Sequence, residues 1–166
     1  MNAESMRAFL LKRPHVVETM QWAGKLAFWV GDKAIGGKMF AVMNLDGDGK
    51  AVLSYSAGAE RYAELLEVEG MFPAPYMARI WWIAAERWDV FRPRQWEQEL
   101  QNAYDLTLRK LAPGATKALQ LPPKELRLHV VERRRLLEAR AAAKQSAKPA
   151  LGSRRKDRET SAGTQK

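Results

Sequence analysis

Pro73-Ala74-Pro75-Tyr76-Met77-Ala78-Arg79-Ile80-Trp81-Trp82 sets two prolines one residue apart before an aromatic, then runs into residues that favour a strand. Each proline fixes its own φ and biases the preceding residue towards extended backbone, so a stiff entry leads into a buried hydrophobic element. Two readings follow. The loop pins Tyr76 against the core, as large aromatics usually pack, or it presents Tyr76 and Arg79 to a partner from a rigid support. The residues beyond it read as a strand from Arg79 to Ala85, with Trp81 and Trp82 on opposite faces.

Upstream, the spacing predicts a helix from about Ala57 to Val68, capped by Ser56 and ended by Gly70. Before it, Val17 to Trp22, Leu26 to Val30, Lys38 to Met43 and Ala51 to Tyr55 are short runs rich in aromatic and branched residues, split by glycine-containing breaks. Consecutive antiparallel strands joined by hairpins are expected, with Leu26, Phe28, Val30, Phe40 and Val42 towards a core. Asn2 to Arg13 reads as a short amphipathic helix with Asn2 as its cap and Pro14 as its stop. Downstream, Pro93 opens a helix in which Trp96, Leu100, Ala103, Tyr104, Thr107 and Leu111 recur at helical spacing, and Pro113-Gly114 ends it.

A domain over residues 1–116 is therefore expected, α+β in class, with an antiparallel sheet of about five strands packed by N-terminal, middle and C-terminal helices. Residues 117–144 read as a basic helix whose thin stripe, Leu126, Val130 and Leu137, makes it marginal unless it docks. Residues 145–166 have almost nothing to bury and read as a disordered basic tail.

The chain has 166 residues, 46% of them hydrophobic, with six tryptophans and no cysteine. Disulfides, thiolate zinc sites and cysteine nucleophiles are excluded. His15 and His129 offer little for a histidine metal site or triad, so no cofactor is expected. No run is apolar enough to span a bilayer and the start lacks a signal-peptide pattern, so a cytoplasmic protein without membrane association is expected. The net charge of +9 is unevenly placed: Met1 to Thr116 carries 14 basic against 14 acidic residues, and Lys117 to Lys166 carries 14 against 5. Polyanion contact is thus expected chiefly from the C-terminal third, at Arg127, Arg133-Arg134-Arg135 and Arg154-Arg155-Lys156.

Other patterns carry less. Asn44, Asp46, Asp48 and Gly49 imitate a calcium loop, but Tyr55 stands where the bidentate carboxylate belongs, so a hairpin turn is expected. Gly31 with Gly36-Gly37-Lys38-Met39 imitates a phosphate loop, but Met39 replaces the magnesium-binding hydroxyl and no helix follows. Glu18 and Glu86 are lone carboxylates, whereas acid-base chemistry usually needs a pair driven apart by its surroundings. The tryptophans fit core packing better than base stacking.

Glu18 to Trp22, Gly37 to Ala41 with Met39 and Phe40, the helix after Ser56, Pro73-Ala74-Pro75-Tyr76, Trp82-Ile83 and the helix bearing Tyr104 and Leu111 together resemble the MmcQ/YjbR family, over about Asn2 to Leu111. The resemblance implies a double-wing, CyaY-like α+β fold and a non-enzymatic DNA-binding protein, in which Trp22, Met39, Phe40, Pro73, Pro75, Tyr76 and Trp82 are structural motif residues. Lys38 and Arg79 are the basic residues inside the matched motifs. Weak, sequence-independent DNA binding through backbone phosphates is expected, with docking of another protein on the Pro73 to Arg79 surface as the alternative and an enzyme acting on a small molecule a distant third.

Overall fold

Alternation of Leu26, Phe28 and Val30 with Ala27 and Trp29 builds the second strand of a six-stranded antiparallel sheet. In the computed structural model, which describes residues 1–22, 24–45 and 50–146, the strands are β1 (Val16–Gln21), β2 (Lys25–Val30), β3 (Lys38–Asn44), β4 (Leu53–Ser56), β5 (Met71–Pro73) and β6 (Trp82–Ala85). They lie in the order β1-β2-β3-β4-β6-β5. Five α-helices accompany them among the described residues: α1 (Ala3–Leu11), α2 (Ala59–Leu66), α3 (Pro93–Arg109), α4 (Pro113–Leu119) and α5 (Pro123–Ser146). The fold is α+β, as expected.

One face of the sheet carries the main core. Phe28, Val30, Phe40, Met43, Tyr55 and Ile83 are fully buried there with Met6 and Leu10 of α1 and Trp96 and Leu100 of α3. Trp96 is the hub, with Phe91 edge-on at 5.1 Å and Tyr55 at 6.3 Å between ring centroids. Edge-on aromatic pairs add roughly 0.5–1.5 kcal/mol beyond area burial. The expected stripe of α3 is buried throughout, and Tyr104 also donates its hydroxyl proton to the Pro14 carbonyl at 3.0 Å. Asn2 caps α1 as expected, its side chain accepting from the Ser5 amide at 2.9 Å.

The other face is thin. Ala27, Val42, Ser54 and Ala84 follow one another across β2, β3, β4 and β6, where pairing sets Val42 opposite both Ala27 and Ser54. Trp82 and Ala74 complete this smaller buried cluster, flanked by half-buried Trp29, Met39, Phe72 and Met77.

Several boundaries differ from the sequence reading, each for a tertiary reason. The sixth strand is β5, three residues ending on Pro73, and it sits at the sheet edge, where a residue without an N–H costs no ladder bond. Ser56 pairs with Trp82 in β4 and so cannot cap α2, which starts instead after Gly58. The strand expected from Arg79 begins at Trp82, because a 3-10 turn, Ala78–Ile80, and a left-handed Trp81 (φ 61°) turn the chain from β5 into β6. Trp81 consequently lies outside the strand and is 45% exposed.

Pro113-Gly114 does not close a domain. Pro113 opens α4, and Ala115, Ala118 and Leu119 join the main core, so the boundary expected at 116 falls inside a helix. The expected basic helix is α5, and Leu126 and Val130 pack against that same core. Of the expected tail, Gln145 and Ser146 belong to α5, and the rest lies outside the described residues, as does the Asp46 to Gly49 turn.

Candidate nucleic-acid interface

Antiparallel register gathers one set of loops at one end of the sheet. Val16 pairs with Val30, Val30 with Lys38, Ser56 with Trp82, and Pro73 with Ile83, so the turns around His15, Gly31 to Gly37, Ala57 and Pro73 to Trp81 all leave from that end. Lys33, Lys38 and Arg79 stand exposed on these turns or at their margins. Lys38 and Arg79, distant in sequence, are thereby brought to the same end.

The β2–β3 connection positions α5. Asp32 caps a 3-10 turn, Lys33–Ile35, by accepting from the Ala34 amide at 2.8 Å, and Gly36 ends it in the left-handed region at φ 90°. Gly37 is required by close approach: a Cβ there would lie 2.0 Å from the Gly31 carbonyl oxygen. The resemblance to a phosphate loop ends here, since β3 follows directly and no helix opens on these amides. Against this turn rest α4, with Leu119 beside Gly31 and Ala115 beside Gly36, and α5, whose Arg134 is ion-paired with Asp32.

The basic residues expected to touch phosphate divide accordingly. Arg127 and Arg135 are exposed, Arg133 is half-buried, and Arg134 is committed to Asp32. Arg154, Arg155 and Lys156 lie outside the described residues. Among the motif residues, Phe40 is fully buried against Tyr104 at 5.9 Å and Trp82 is 4% exposed, both acting as packing anchors. Met39 is half-buried, and Pro73 and Pro75 are exposed.

Tyr76 and Trp22 are corrections. Tyr76 is fully exposed, not pinned to the core: Ala74 takes the inward position, donating its N–H to the Trp82 carbonyl at 3.1 Å, and Tyr76 then turns outward at φ 63°. Trp22 lies beyond the end of β1 with φ 35° and is 61% exposed. Core packing of the tryptophans thus holds for Trp82 and Trp96, while Trp29 and Trp88 are half-buried and Trp22 and Trp81 exposed.

A polar cluster that the sequence reading passed over sits at α2 and α3. Glu99, buried at 6% exposure, accepts from Arg61 Nε at 3.1 Å and Nη2 at 2.7 Å. The Tyr55 hydroxyl lies 3.5 Å from its other oxygen. Burial, then the Glu99 charge, pushes the Tyr55 hydroxyl well above its ordinary value, and the hydrogen bond to Glu99, helped by the one to Glu64, raises Arg61 above its own. The sequence signal was present: Glu99 lies three residues after Trp96 and four before Ala103, on the buried stripe. Glu18, a lone carboxylate in the sequence, is on edge strand β1 and pairs with Arg7 of α1. Among the described residues no three His, Asp or Glu side chains gather in a metal-holding group, and no helix is long and apolar enough to cross a membrane.

A family model described as YjbR matches residues 11–106. The chain belongs to the YjbR family. The match runs from the last residue of α1 into α3, so α4 and α5 lie beyond the part of this YjbR chain that the family model covers. The crystal structure of Deinococcus radiodurans protein DR2400, a DUF419 domain, is similar with a TM-score of 0.62 and 22% identity, over 73% of this chain and 89% of that one. At that identity the likeness shows a shared fold. No curated protein matches the chain.

Proposed function

We propose that this YjbR chain is a non-enzymatic, cytoplasmic DNA-binding protein that holds backbone phosphates weakly and without reading sequence. The observation that carries this reading is the placement of α5, a helix with seven Lys and Arg against three Glu, against the turn that also bears Lys33 and leads into Lys38. Arg127, Arg133 and Arg135 on α5, with Lys38 and Arg79 on the sheet end and Arg154, Arg155 and Lys156 further along, supply the phosphate contacts. Such binding releases counterions, so affinity falls steeply with salt. The non-enzymatic reading is supported by the strongly shifted groups: Tyr55 and Arg61 are both tied to Glu99 by hydrogen bonds, in a packing role.

The test is anisotropy of a labelled duplex over a salt series, with wild type against the Arg127→Gln, Arg133→Gln, Arg135→Gln triple variant. The variant should bind more weakly and lower the logarithmic salt slope by about 0.9 per lost phosphate contact. Absence of duplex binding near physiological salt, or an unchanged slope, would sink the reading.

A second reading, docking of another protein on the Pro73 to Arg79 surface, is favoured by the exposure of Tyr76 beside Arg79, Ile80 and Trp81. Tyr, Trp and Arg dominate interface hot spots. Tyr76→Ala that weakened a nuclease-resistant complex while leaving duplex affinity unchanged would favour it.

A further inference from the structure

Between α5 and the thin face of the sheet lies a groove of about 530 Å³. Val17 and Thr19 of β1 and Trp29 of β2 line it from the sheet, Arg134 and Leu137 from α5, and Lys33 from the turn. The volume is within the range of small-molecule sites, roughly 300–1,000 Å³.

Trp29 has its ring plane set before any ligand arrives. Its indole N–H donates to the Thr19 hydroxyl at 2.8 Å, and the Gln21 amide donates to the same oxygen at 3.0 Å. The ring is only half-buried, so indole surface remains open to the groove. The Lys33 ammonium stands over the ring, 5.8 Å from its centroid, so a base that stacks there displaces the flexible Lys33 side chain and leaves its charge within reach of the adjoining phosphate. Glu138 also lines the groove from α5, and its carboxylate repels phosphate on that side. Asp32 has its charge matched by Arg134.

We infer that this groove holds one unpaired nucleobase stacked on Trp29, with the adjoining phosphate on Lys33. Single-stranded nucleic acid is then the preferred partner over duplex, because bases within a duplex are already stacked and cannot enter. Base–aromatic stacking tolerates any base, which keeps the interaction sequence-independent. The inference rests on the DNA-binding reading above and narrows it.

The test is anisotropy at one fixed salt concentration with three labelled ligands: a thymidine oligomer, the same oligomer annealed to its complement, and an abasic oligomer of equal length. The full-length chain should bind the thymidine oligomer about tenfold more tightly than the abasic one, as expected for one stacked base, and more tightly than the duplex. Trp29→Phe, which keeps a ring, should retain most of that preference, and Trp29→Leu should abolish it. Because Trp29 also packs against the thin-face cluster, Leu137→Trp provides a second variant. Leu137 is 43% exposed on α5, and a larger ring there fills the groove without touching the Trp29 hydrogen bond. Its expected result is loss of the base preference with an unchanged melting temperature.

Equal binding of all three ligands would overturn this inference and leave the phosphate reading standing, as would a preference that survives both Trp29→Leu and Leu137→Trp. Binding of none would overturn both.

Discussion

Replacing Arg61 with methionine tests whether the α2–α3 junction depends on neutralising a buried carboxylate. The partners are unequal: the Arg61 side chain is 43% exposed and that of Glu99 8%. Methionine keeps most of the aliphatic stem and removes the charge, which strands Glu99 among Trp96, Leu100 and Ala103 of the buried stripe. Stranding one member of a fully buried pair costs about 3–5 kcal/mol, and the solvent reaching Arg61 reduces the expectation to about 2–3 kcal/mol. Glu99→Gln should cost less, about 1 kcal/mol, because Arg61 can turn to water and keeps its second partner, Glu64. Urea denaturation at neutral pH of wild type, both single variants and the double variant forms the cycle. The double variant should resemble Glu99→Gln alone, and Arg61→Met should melt about 4–12 °C below wild type. If Glu99→Gln proved costlier than Arg61→Met, or Arg61→Met cost under about 0.5 kcal/mol, the stranded-carboxylate argument would be wrong.

Three further outcomes are expected. The folded state holds the Tyr55 proton to higher pH than the unfolded chain does, so its contribution is full below about pH 10 and is lost as pH rises beyond that. Melting temperatures followed over roughly pH 8 to 11 should fall less steeply for Tyr55→Phe. Some slope should remain, because burial also raises Tyr104. Gly37→Ala, whose added Cβ would meet the Gly31 carbonyl oxygen at 2.0 Å, should cost at least about 3 kcal/mol in a denaturant titration. A smaller loss would show that the β2–β3 turn yields. Tyr76→Gly should change stability by no more than about 1 kcal/mol, since relief of a left-handed tyrosine offsets the added chain entropy. A loss of about 3 kcal/mol or more would restore Tyr76 to the core.

What the sequence showed and what it concealed divide by range. Alternation in Leu26 to Val30, the α3 stripe and the Asn2 cap are decided within a few residues by pleat, helical period and one side-chain bond, and all three stand in the structure. β5 was invisible because three residues ending on proline resemble a strand only once β6 is placed beside them. The left-handed turns at Tyr76 and Trp81 could not be foreseen from residue type, since aromatic residues seldom adopt them. They exist because β5 and β6 must pair in register over a short connection. Neither could the groove be foreseen: Trp29 belongs to the alternating strand, and its open ring depends on where a helix more than ninety residues later comes to rest.

That helix also changes what the charge distribution means. The sequence divides at Thr116 into a neutral front and a basic extension, as though cations were carried on a separable tail. Thr116 instead lies within α4, which buries Ala115, Ala118 and Leu119, and α5 follows with Leu126 and Val130 against the same core and Arg134 on Asp32. A helix with so thin an apolar stripe has little stability alone and takes its order from docking. Its arginines are therefore delivered on a helix docked at the turn that bears Asp32 and Lys33, and removing α5 would strip away core contacts as well as charge. The cleaner perturbation is to neutralise Arg127, Arg133 and Arg135 in place, because only then does a change in affinity report on charge and not on a damaged fold.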